Sequence, residues 1–145
     1  MKSFAFNLEK ILDLKEYNED EAKIELGRAI GILTDLENRI LVLGRERIRA
    51  AAAQFSPGNN AALIQQYMFY IIRLDNTKER LVKEAALAEI KVEEARQAYI
   101  EASRERNVLD KLKEKRQKEY KKEMLIAETK ILDEIPASHP AKAHS

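Results

Sequence analysis

The chain has 145 residues, 35% of them charged, with 26 Lys and Arg against 25 Asp and Glu for a net charge of +1. A charged fraction above the roughly 25% of ordinary domains, with only four Gly and three Pro to make turns, excludes a conventional globule and points to long helices. Cysteine is absent, which removes disulfides and thiolate metal sites and makes the cytoplasm the expected location; the charge balance argues against a dedicated nucleic-acid binder.

The start, MKSFAFNLEK, reaches Glu9 before any apolar run develops and does not read as a signal peptide. From Ala5, alternate steps of three and four residues land on Leu8, Leu12, Ala22, Leu26, Ala29, Leu33, Leu36, Ile40, Leu43 and Ala50, with Lys15, Glu19 and Arg47 as exceptions. This heptad seam predicts a helix over about residues 4–53. Next comes Ser56-Pro57-Gly58-Asn59-Asn60, where Pro removes a donor, Gly permits positive φ and Asn can cap a helix, so a turn is expected over about residues 54–60. The same stepping then resumes through Ile64, Tyr67, Ile71, Leu74, Leu81, Ala85, Ala88, Val92, Ala95, Tyr99, Ala102, Leu109 and Tyr120. Its exceptions are Lys78, Arg106, Lys113 and Arg116, and a second helix is predicted over about residues 61–133.

The predicted fold is all-α: a single-domain, long antiparallel two-helix coiled-coil hairpin over residues 1–134, with helix 2 longer than helix 1. At 1.5 Å per residue the helices would measure roughly 75 and 110 Å. Symmetry about the turn sets residues 4–6 against residues 108–112 and leaves everything from there to Asp133 without a partner in the chain. The tail, residues 135–145 (IPASHPAKAHS), has no periodicity and is expected to be disordered. The longest uncharged span, residues 50–72, is interrupted by the turn, so no membrane segment is expected.

Catalysis is not expected. The only histidines, His139 and His144, fall in the tail, and no Gly-rich phosphate loop, nucleophile elbow or HExxH pattern occurs. The reading is therefore of a non-enzyme with no cofactor and no metal. Gly27, Gly31 and Gly44 read as points of close helix approach or local weakness. Two surfaces stand out instead. Residues 65–74, QQYMFYIIRL, are apolar around nearly the whole helix, so Phe69, Tyr70 and Ile72 remain at least partly outside a two-stranded seam unless Ile30, Ile32 and Ile48 cover them. An exposed aromatic patch of this kind marks a protein contact. Residues 109–123, LDKLKEKRQKEYKKE, carry seven Lys and Arg against four Asp and Glu and have almost no core. A lone helix is marginal in water, so this run reads as a docking element for an acidic or amide-lined partner. The interleaved acids and the single aromatic, Tyr120, weaken a nucleic-acid reading.

Phe4-x-Phe6-x-Leu8-Glu9-x-x-Leu12, the pattern Tyr67-x-x-Tyr70-Ile71-x-x-Leu74, and the distal run from Arg104 through Arg116 to Tyr120, followed by Glu128 and Leu132-Asp133-Glu134, together resemble the FliJ family over roughly residues 4–134. FliJ is the small coiled-coil component of the flagellar type III export apparatus. The resemblance implies an antiparallel coiled coil, similar to the stalk subunit of rotary ATPases, whose end bearing both termini enters the hexameric export ATPase FliI and promotes its assembly and activity. It also implies contact with the export gate protein FlhA and with export chaperones, at the cytoplasmic face of the inner membrane and reaching the membrane through partners only. Carried onto this sequence, the gate-binding residues are Tyr67, Tyr70, Leu74 and Leu81, with Thr77 polar where a small apolar residue is the rule. The ATPase-facing residues are Arg106, Lys113, Arg116, Tyr120 and Lys122. Alternatives are the injectisome relative with the same fold, a rotary ATPase stalk subunit, whose usual globular insertion has no room at SPGNN, a homodimeric structural coiled coil, and a nucleic-acid-binding coiled coil.

Overall fold

A computed structural model describes residues 3–135; the expected disordered tail lies outside the described residues from position 136 onward. Two helices account for almost all of it: α1, Glu9–Gln54, and α2, Ala61–Glu134. No strand occurs among the described residues, and the fold is an all-α helical hairpin with the second helix the longer. No helix among these residues is long and apolar enough to cross a membrane.

The link between the helices follows the chemistry of its residues. Gly58 takes a φ of 89°, a left-handed value that costs other residues a Cβ clash. The Asn59 side-chain amide donates to the carbonyls of Ala53 (2.8 Å) and Gln54 (3.0 Å), satisfying acceptors that the end of α1 leaves without helical partners. The Asn60 side-chain oxygen accepts from the Leu63 backbone N–H at 2.9 Å, an N-cap that starts α2.

The chain divides into two compact units: Met1–Asn18 with Ala102–Ser145, and Glu19–Glu101. In the second, which holds the turn, the helices run antiparallel, since Gln54 reaches Ile64 while Arg47, seven residues earlier in α1, meets Asp75. Its core is the predicted seam: Leu36, Leu81, Ala85 and Ala88 cluster, with Leu33, Ile40 and Leu43 packed on them. Arg47, a polar residue on that seam, donates from Nε to Asp75 at 2.7 Å, and this hydrogen bond raises the Arg47 pKa. A charged pair at a seam position costs stability and fixes register.

Gly27, Gly31 and Gly44 are not sites of close helix approach. A Cβ at any of them would meet nothing within 4 Å. Of the two readings, local weakness is the one consistent with the packing, since each glycine costs about 1 kcal/mol relative to Ala in a helix interior.

The unit that joins the start of the chain to distal α2 departs from the symmetric register. The first helix begins at Glu9, not near residue 4, and residues 3–6 have no regular secondary structure. Lys15 pairs with Glu105 at 3.0 Å, Glu9 with Lys113 at 2.9 Å, and the Phe4 ring packs on Tyr120. Phe4 therefore reaches Tyr120 and not residues 108–112. The shift is already present where α1 is helical, since Lys15 meets Glu105. Ahead of Glu9 the chain is not helical, and backbone outside a helix rises more than the roughly 1.5 Å per residue of a helix, so a few residues cover more of α2. The expected overhang is corrected accordingly: it begins after Tyr120, not near Leu109.

Candidate functional site

In the unit holding the chain start, the predicted cations do not face empty solvent. Lys113 Nζ donates to the Glu9 carboxylate, and that hydrogen bond raises the lysine pKa. Arg116 Nη1 donates to the Asn7 side-chain oxygen at 2.7 Å, with its guanidinium carbon 6.0 Å from the centre of the Phe6 ring. The rings of Phe4 and Tyr120 lie 5.6 Å apart at 52°. Arg106 reaches Asp110 at 3.2 Å and Glu16 at 3.8 Å. Of the five residues assigned to the ATPase face, Arg106, Lys113, Arg116 and Tyr120 thus form one surface with the first residues of the chain, and Lys122 is exposed beyond them. Among these neighbours only Phe6 is buried.

After Tyr120, α2 continues for 14 residues to Glu134, all exposed except the half-buried Met124. Leu125, Ile126, Ile131 and Leu132 are each more than half exposed. The sequence reading missed this apolar stretch because the Lys and Glu around it masked its spacing.

The second candidate surface lies in early α2. Leu74 and Leu81 are only 8% and 5% exposed, so both are core residues first. Tyr67 and Tyr70 are half-buried and line a shallow depression with Leu63 and Gln66. The Tyr70 hydroxyl donates to Glu46 at 3.0 Å, a hydrogen bond that pushes its pKa up. Two turns further along the same side, Thr77 shares a depression with Val42, Arg39 and the rim of Leu81. Phe69 (55% exposed) and Ile72 (46%) stand outward as expected, and Ile30, Ile32 and Ile48 do not cover them, being exposed themselves.

No group of side chains among the described residues could hold a metal ion. The comparison with known families decides what kind of protein this is: the family model for the flagellar FliJ protein matches residues 4–144. The chain belongs to the FliJ family. FliJ membership makes it a coiled-coil protein of flagellar export, and the two helices described above fit that architecture. No curated protein and no solved structure matches the chain.

Proposed function

We propose that this chain is a non-enzymatic component of the flagellar type III export apparatus that binds the hexameric export ATPase like a central stalk. It promotes ring assembly and activity, and it links the ring to the export gate and to export chaperones at the cytoplasmic face of the inner membrane. One observation supports the ring contact most strongly within a FliJ-family chain: α2 runs on past Tyr120 with Leu125, Ile126, Ile131 and Leu132 exposed beside Lys121 and Lys122. This helix end has both an apolar stripe and cations, and lacks a core of its own. Arg106, Lys113, Arg116, Tyr120 and Lys122 are assigned to the same contact. No chemistry is required of the chain. A stalk that binds one ring conformation better than another shifts the population of ring states by that difference in affinity.

The deciding experiment adds the purified chain to the export ATPase of the same organism and follows ATP hydrolysis. A rate that rises and saturates with chain concentration is expected; a rate that stays at its basal value refutes the proposal.

For the gate, Tyr67 and Tyr70 supply the accessible surface, while Leu74 and Leu81 are buried in the seam. Replacing the leucines would confuse folding with binding. Tyr67→Ala with Tyr70→Ala is expected to lose the gate protein in a pull-down while leaving ATPase stimulation intact. Retention of the gate by that variant would remove the tyrosines from the interface.

A further inference from the structure

The first residues of the chain meet distal α2 with chemistry that mirrors what an acidic partner would present. Glu9 offers a carboxylate to Lys113, Asn7 an amide oxygen to Arg116, Phe6 a ring face to the same guanidinium, and Phe4 a ring to Tyr120. Each group satisfies a side chain that the functional reading assigns to the ATPase. Ahead of Glu9 the segment is not helical, and the links that tie it to α2 are made by side chains. Ser3, Ala5 and Asn7 are exposed, and Phe6 alone is buried. Partly exposed ion pairs and cation–π contacts are individually weak, so the burial of Phe6 is the main cost of opening this segment.

We propose that residues 3–9 form a releasable cover over Lys113, Arg116 and Tyr120, an internal imitation of the partner surface that ring binding displaces. This rests on the proposed function, because it identifies the cover's competitor as the ATPase ring. A covered surface binds with an apparent affinity reduced by the fraction of time it is open. The cover therefore keeps an otherwise adhesive cationic and aromatic surface occupied until the ring supplies the same groups in greater number. An alternative role, in which the segment props the surface into its binding shape, would have it stay in place in the complex.

The chain has no cysteine, so spin labels at Ser3→Cys and Lys121→Cys report one distance only. In the full free chain a short distance is expected, because Phe4 lies on Tyr120. Adding the export ATPase is expected to replace it with a long, broad distribution. Binding with the short distance retained overturns the cover and leaves the functional reading standing. Absence of any binding overturns both. A second measurement uses the unlabelled variant Phe4→Ser with Phe6→Ser, whose cover is released in advance. It is expected to bind the ATPase about tenfold more tightly if the cover is closed nine-tenths of the time; equal or weaker binding by a variant that keeps its helical content overturns the proposal.

Discussion

Leu81→Ala is expected to destabilise the unit Glu19–Glu101 by about 2–4 kcal/mol. Leu81 is 5% exposed and sits with Leu36, Ala85 and Ala88. Its neighbours on α2 are alanines, which have little side chain to swing into the space it leaves. The partly buried Leu33, Ile40 and Leu43 would lose contacts with it. A hairpin with so narrow a core has few other sources of stability, and net stabilities of small domains are only about 5–15 kcal/mol. Urea denaturation followed by helical circular dichroism gives the number directly. Ile48→Ala is the natural reference, since that side chain is exposed and its loss should change stability by no more than about 0.5 kcal/mol. If the two variants unfold at the same urea concentration, the seam assignment is wrong. Leu81→Met, which conserves volume, should cost under about 1.5 kcal/mol and is the better variant for asking whether a partner feels this position.

The largest functional effect is expected from Lys113→Glu with Arg116→Glu and Lys122→Glu. Like charges brought together at an interface cost several kcal/mol, and since each 1.4 kcal/mol is about tenfold, affinity for the ATPase should fall by at least about a hundredfold. Stimulation of ATP hydrolysis should vanish while the helical signal persists. The pairing of Lys113 with Glu9 complicates this variant, because Lys113→Glu also sets two carboxylates against each other. Adding Glu9→Lys restores an ion pair of reversed sense within the chain without restoring the positive surface. Stimulation should stay lost in that quadruple variant. Recovery there would mean that the internal pair, and not the partner, had been responsible.

Much of this molecule was legible in its residues. SPGNN marks the break between two heptad seams, and among the described residues every buried apolar one except Phe6 falls on a seam position. The register at the start of the chain departs from the expected one, because steps of threes and fours from Ala5 assume a helix that begins only at Glu9. A contrary signal was present in Phe4-x-Phe6-x-Leu8, whose spacing of two is that of extended backbone. Ala5, the nominal seam residue, is exposed, and Phe6 takes the buried place beside it. The two candidate surfaces were found by composition, which sees an unusual patch but not its neighbours. Thus the charge run was located correctly, whereas its partners Asn7 and Glu9 were not, because symmetry about the turn set the chain start against residues 108–112, several residues short of the observed register.

The exceptions on the two seams differ between the units in a way that sets how each comes apart. In the unit Glu19–Glu101 they stand singly in an apolar row, with Arg47 answered by Asp75 across the pair. In the other, Lys15, Arg106, Lys113 and Arg116 occupy seam positions in close succession, and each is answered by a polar side chain across the pair. Pairs of this kind fade as salt rises, whereas apolar burial does not. Amide hydrogens should therefore exchange in two tiers, with those of the charged unit released through openings that ionic strength makes more frequent. Evolution could tune the looser tier through charge alone, without touching the packing that defines the fold.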